Sequence, residues 1–319
     1  GYLAILAGLL LGGFIFMLCY TYPIAKRVYR DQLVRTSPEK WGRVCSFPDD
    51  AEQVQMWNDG IAWMEQNRHR ITQLQIENDG FKLFGEYFDF GADRCVIILP
   101  GRCESLVYSY YFAPPYEKAG FNVLVIDTRC HGKSDGIYNT IGLQESRDVL
   151  AWAKLLHDRF GNEEIYFHGI CIGAAGGMLA LTSEDCPDTV CGLVTEGMFP
   201  NFGESMKNHL IERKKPVKTF FPFIDMWMKH YTGHSMRVGP LNVIHKLQVP
   251  LLMLHSREDA YSTPVYAQRL FDTAGTEEKR LVWFAHGRHS MLRITDTELY
   301  DRSVTEFVGK LDEAVVSQS

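Results

Sequence analysis

The stretch IYFHGICIGAAGG, Ile165–Gly177, decides the fold. Ile165, Tyr166 and Phe167 read as a buried strand. Gly169-Ile170-Cys171-Ile172-Gly173 then turns sharply into a helix of small residues. Glycines flank the cysteine because side chains at those two places would collide across a strained strand-to-helix turn. Such a turn presents the thiol at its tip. The helix N-terminus behind it carries a partial positive charge that favours a thiolate and a developing oxyanion. The backbone N–H of Ile172 is placed to donate to that oxyanion. A buried cysteine at an ordinary tight turn satisfies the same five residues, so the rest of the chain has to separate the two readings.

Outward from this point, short apolar runs alternate with helical stretches. The pattern predicts strands at Cys95–Leu99, Asn122–Ile126, Glu164–His168, Cys191–Thr195, Pro250–His255 and Arg280–Phe284. It predicts helices at Val107–Ala119, Leu143–Phe160, Ala174–Leu181, Pro264–Thr273 and about Glu298–Val316. Alternation of this kind implies right-handed crossovers and a mostly parallel sheet covered on both faces. Ahead of it, Thr72–Glu77 and Lys82–Phe90 flank Asn78-Asp79-Gly80 and read as a hairpin. Asp49–Asn67 has apolar residues at helical spacing. No good strand occurs between Met198 and Lys246; this aromatic, proline-punctuated interval reads as a helical cap inserted between two strands. A cap over a pocket excludes water, although a packed insertion without gating fits the same pattern.

The chain has 319 residues, 46% hydrophobic and 23% charged, which suits one large α/β domain. Its net charge of −6 excludes a basic nucleic-acid footprint. The eight cysteines show neither zinc spacing nor a disulfide framework, although Cys186 and Cys191 are close enough in sequence to bridge in an oxidising compartment. Tyr2–Tyr20 carries no charged residue and is about long enough to cross a bilayer. A membrane anchor is the expectation; a signal peptide and a buried apolar helix are the alternatives. Lys26, Arg27, Arg30 and Arg35 follow it, which predicts a cytoplasmic catalytic domain unless basic residues upstream reverse the bias. The predicted organisation is an anchor at 1–22, a juxtamembrane helical segment at 23–70 and a main domain at 71–319, with its cap at about 198–246.

Several segments resemble the α/β-hydrolase superfamily, in the family's order, over roughly Thr72 to Val316. The Cys171 turn resembles its nucleophile elbow, with cysteine in place of the usual serine, as in dienelactone hydrolase. Pro100-Gly101-Arg102 stands where the family commonly has His-Gly-x, and NVLVIDTRCHGKSDG (Asn122–Gly136) resembles the Asp-x-Arg-Gly-His-Gly-x-Ser segment, with Cys130 replacing a glycine. LLMLHSREDAYSTP (Leu251–Pro264) and VWFAHGRHSML (Val282–Leu292) resemble the acid and histidine segments. The resemblance implies an eight-stranded-type sheet and a Cys171–His289–Asp259 triad, with the backbone N–H of Arg102 as second oxyanion donor. His286 and Glu258 are the nearby alternatives for base and acid, and His131 and His168 read as structural. Arg102, Arg257 and Arg288 adjoin these motifs and would suit a substrate carboxylate. The implied activity is hydrolysis of an ester, thioester or related acyl bond of a small molecule, without metal or organic cofactor, and the apolar cap residues suit a hydrophobic acyl or aromatic substrate. A catalytically weak binding protein at the membrane and an acyltransferase are the alternatives.

Overall fold

The computed structural model describes residues 1–316, with side chains through 309; positions 317–319 of the predicted main domain lie outside the described residues. Eight strands form one sheet: β1 (Ile71–Asn78), β2 (Phe81–Phe88), β3 (Arg94–Leu99), β4 (Asn122–Asp127), β5 (Glu164–Ile170), β6 (Val190–Glu196), β7 (Leu251–Ser256) and β8 (Lys279–Phe284). Their spatial order is β1-β2-β4-β3-β5-β6-β7-β8. The β1–β2 hairpin and the β2–β4 pair are antiparallel, and every other pairing is parallel. The central strands are apolar throughout because both faces are covered. Along β3, Cys95, Ile97 and Leu99 enter one core while Val96 and Ile98 enter the other, as a side-chain period of two requires.

The major helices are α1 (Tyr2–Leu33), α2 (Ala51–Gln66), α3 (Glu145–Phe160), α4 (Ile172–Leu181), α5 (Phe202–Glu212), α6 (Val217–Thr232), α7 (Pro264–Thr273) and α8 (Thr297–Val316). Helices α3, α4 and α7 pack on one face of the sheet, around Trp152, Met178 and Leu270. Helices α2 and α8 cover the other, through Met56, Trp63, Tyr300 and Val304. Asp50 caps α2 by accepting the N–H groups of Glu52 and Gln53. The helix expected at Val107–Ala119 is broken into Leu106–Ser109, a tight turn at Tyr110–Phe112 and Pro114–Lys118. Pro114 and Pro115 supply no N–H groups, so the turn before them has no continuation into a regular helix.

The interval expected to be strand-free holds α5 and α6, which form a helical hairpin. Residue 22, expected to end the first segment, falls inside a continuous helix. The first half of α1 is exposed and apolar; in its second half Ala25, Tyr29 and Leu33 are buried against α6. Tyr22 packs against Phe223 and Trp227, Lys26 lies over the Trp227 ring, and Tyr29 stacks on Tyr231. The following loop holds on with polar contacts. Arg35 donates to the carbonyls of Ser134 and Gly132, and Arg43 bridges Asp127 and Glu86.

Candidate active site

Strands β3 and β5 are in register, with Leu99 opposite Gly169. Chain order departs in opposite directions on either side of β3, so a crevice opens beyond the C-terminal ends of these strands. The segments Pro100-Gly101-Arg102 and Cys171-Ile172 therefore emerge side by side. Cys171 has φ 52° and ψ −109°, backbone that a residue with a Cβ adopts only under constraint. The flanking glycines supply that constraint. A Cβ on Gly169 would sit 2.4 Å from the backbone of Ala174, and one on Gly173 would sit 2.1 Å from the Leu99 carbonyl oxygen. The Cys171 N–H donates to the Glu196 carbonyl at 2.9 Å, tying the elbow to β6.

Asp259 follows β7 and His289 follows β8. Nδ1 of His289 is 2.7 Å from Oδ2 of Asp259. The other oxygen, Oδ1, accepts the N–H groups of Tyr261 and Ser262, each at 2.8 Å. Burial opposes ionisation of Asp259, but His289 and these bonds outweigh it and hold the carboxyl below its ordinary range. For His289, burial likewise opposes the charged form. The charge of the Asp259 carboxylate, the nearby Cys171 sulfur and the hydrogen bond to Asp259 overcome it, placing the imidazole well above its usual value. The ring lies against Gly197, where a Cβ would approach Cε1 to 2.9 Å. Thus the structure brings Cys171, His289 and Asp259 together. His286 instead pairs with Glu258 at the surface, 2.9 Å away.

Glu196 orders the rear of the site. Its Oε1 accepts the Leu292 N–H and its Oε2 accepts the Tyr300 hydroxyl. His168 lies 2.9 Å from the hydroxyls of both Tyr300 and Tyr116. Because Tyr300 donates to Glu196, it must accept from Nε2 of His168, and Nδ1 is left to accept from Tyr116. Burial lowers the pKa of His168 to about 3, which keeps this neutral tautomer in place. His131 is also structural, stacked on Trp41 and pushed down to about 4 by burial.

The expected carboxylate-binding role for the arginines is mostly not met. Arg288 is occupied by Asp50 and Glu52, and Arg257 lies over the Trp283 ring. Of the three, Arg102 lies beside the pocket with no acidic partner among the described residues, its Nη1 near the Gln32 carbonyl and the Cys103 sulfur. All eight cysteines are free thiols, including Cys186 and Cys191. Cys130 occupies a left-handed position, φ 72°, which explains why glycine is usual there, and burial drives its thiol far from ionisation.

A pocket of about 410 Å³ leads to Cys171 and His289. Phe199, Phe202, Met206 and Met291 form its apolar walls. Three further wall residues were not anticipated: Gln32 from α1, Phe47 from the loop after it, and Glu104. The spacing of Ala25, Tyr29 and Leu33 marks a buried helical stripe that would have placed α1 on the domain. Glu104 carries no such mark. It is 7% exposed, and its Oε2 accepts the Gly101 N–H at 2.8 Å. Burial pushes its pKa up to about 7, with Glu196 adding to the rise. A carboxyl raised on folding destabilises the fold progressively as pH climbs from its unfolded value towards 7. Glu104→Gln keeps the acceptor and removes the charge. It is expected to add about 2 kcal/mol of stability at pH 8 and little at pH 4, read from urea denaturation at the two pH values.

A family model described as alpha/beta hydrolase fold matches residues 94–218. The uncharacterized protein YqkD of Bacillus subtilis (strain 168) is 27% identical over 222 residues, 69% of this chain and 72% of that protein. The Pyrococcus furiosus esterase Pf2001 superposes with a TM-score of 0.66 at 23% identity, over 77% of this chain and 93% of that one. The Exiguobacterium antarcticum esterase EaEST superposes with a TM-score of 0.57 at 17% identity, over 75% and 99%. The sheet order, the strained turn after β5 and the matched family model make this chain an α/β-hydrolase-fold protein.

Proposed function

We propose that the chain is a membrane-anchored hydrolase that cleaves activated esters or thioesters through a Cys171–His289–Asp259 triad. The observation that carries this reading is the position of His289, hydrogen-bonded to Asp259 and near enough to Cys171 for the sulfur to raise its pKa, beside a strained elbow. The Asp259 carboxylate and the Cys171 sulfur raise the pKa of the imidazole, which favours an imidazolium–thiolate pair. That thiolate attacks the acyl carbon, and the carbonyl electron pair moves onto oxygen. The N–H groups of Arg102 and Ile172 face that oxygen from two neighbouring strand ends. The tetrahedral intermediate collapses, the imidazolium protonates the leaving group, and a thioester to Cys171 remains. His289 then takes a proton from water, hydroxide attacks the thioester carbon, and the thiolate departs. A thiolate is a better leaving group than an unprotonated amine, so this site favours activated acyl groups over peptide bonds.

The exposed apolar half of α1, Tyr2–Phe16, would sit in the bilayer, with the fold on the side of Lys26, Arg27 and Arg30. The reading is tested by incubating the full chain with short-chain p-nitrophenyl esters and soluble thioesters, following product release and intact mass. Turnover with an acyl-sized mass increase on Cys171 is expected. Neither turnover nor an adduct would overturn the reading. Asp259→Asn is expected to lower kcat by about 10²–10⁴-fold, with KM changed far less, because the imidazolium loses its counter-charge and its orientation.

A further inference from the structure

We propose that the tip of the cap docks on anionic lipid headgroups and that the pocket opens there, so that the acyl substrate is drawn from the membrane; this rests on the anchored-hydrolase reading above. The two helices α1 and α6 run in the same direction. Tyr22 meets Phe223 and Trp227, Lys26 meets Trp227, and Tyr29 meets Tyr231. Moving from Phe223 back to Val217 therefore moves towards the apolar half of α1, by about 9 Å at the helical rise. The same distance along α1 leads from Tyr22 back to Phe16. The turn Met17–Thr21 also touches α6. The loop between α5 and α6 is thereby brought to the level where the apolar segment meets the headgroups.

That loop carries Arg213, Lys214 and Lys215, with Lys218 in the first turn of α6. All four are exposed, and none has an acidic ion-pair partner among the described residues. Ile211 beside them is 62% exposed. A basic cluster with an exposed apolar side chain fits an anionic bilayer surface, where each basic residue raises partition by about fivefold. The route inward starts at the same place. Phe202, Ser205, Met206, His209 and Glu212 line the pocket from a single face of α5. This stripe runs about 15 Å from the elbow to the cap tip.

The test reconstitutes the full chain in phosphatidylcholine vesicles, with and without about 30% phosphatidylserine, a level that gives a strongly negative surface. Two substrates are compared: a water-soluble butanoyl thioester and a long-chain acyl thioester dissolved in the bilayer. Arg213→Glu/Lys214→Glu/Lys215→Glu is expected to leave soluble turnover within about twofold. It should lower bilayer turnover in anionic vesicles by at least about tenfold, within the roughly hundredfold that three lost surface attractions of about fivefold each would give. Equal bilayer turnover by parent and variant would overturn the proposal. Independently of activity, Ile211→Trp places a fluorophore at the tip. A headgroup spin-labelled lipid should quench the added emission, and the charge-reversed background should relieve it. Emission unaffected by the quencher would also overturn the proposal. Loss of turnover on both substrates in the parent would instead indict the hydrolase reading, while quenching would still report on docking.

Discussion

Cys171→Ala is expected to lower turnover of an activated thioester by about 10⁵-fold and to abolish the acyl mass adduct, with the fold intact. Alanine is smaller than cysteine and tolerates the backbone no worse, so loss of activity without loss of thermal stability isolates the thiol. Cys171→Ser is the sharper comparison. A serine hydroxyl must lose its proton to His289 as it attacks. In the parent the Asp259 carboxylate and the Cys171 sulfur together raise the pKa of that imidazole against the effect of burial, and the serine variant lacks the sulfur's share. A hydroxyl gives up its proton far less readily than a thiol, so the serine variant is expected to retain about 1% of parent activity or less. A serine variant more active than the parent would show that the cysteine disarms the elbow. The chain would then be better read as a binding protein on a hydrolase fold.

Gly173→Ala is expected to cost about 4 kcal/mol or more, a large part of the stability of a typical domain. The added Cβ would lie 2.1 Å from the Leu99 oxygen, 2.6 Å from its carbon and 2.8 Å from the Pro100 oxygen. All three are backbone atoms in or just beyond a central strand, so no rotamer change makes room. Helix α4 must move off β3, opening the core around Leu99 and Met178. Gly176→Ala, one turn further along the same helix, provides the control. Its Cβ would come no closer than 3.6 Å to Gly142, and alanine favours a helix over glycine by about 0.5–1 kcal/mol. Thermal melts of the detergent-solubilised chain should separate the two variants clearly. Equal melting temperatures would show that the elbow is less tightly packed than described.

The parts legible in the sequence were those set by local pattern. The elbow announced itself because glycines must flank a residue at φ 52°, and the strands because both their faces are buried. The resemblance ordered the acid and histidine segments, and Asp259 and His289 do meet. Less legible was whatever depended on contacts distant in sequence. Arg288 sits beside His289 in the chain, yet its charge is consumed by Asp50 and Glu52 from a helix far upstream. Glu104 follows a turn, as many solvated glutamates do, and only the packing of three strand ends buries it. Gln32 and, from the loop that follows, Phe47 reach the pocket because the second half of α1 packs on the cap, and the Val107–Ala119 stretch breaks because prolines outrank its apolar spacing.

The continuity of α1 dictates where the chain can be cut to obtain a water-soluble protein. Trimming at Glu39, just past the basic stretch, would delete Gln32 and bare the rings of Phe223, Trp227 and Tyr231. The cap would then lose the surface it rests on, and the trimmed protein would self-associate through that patch. Trimming just before Tyr22 removes the exposed apolar turns and retains Ala25, Tyr29 and Leu33 as a built-in strut. The shortest soluble form therefore begins at the last residue of the predicted anchor rather than beyond the basic stretch that follows it.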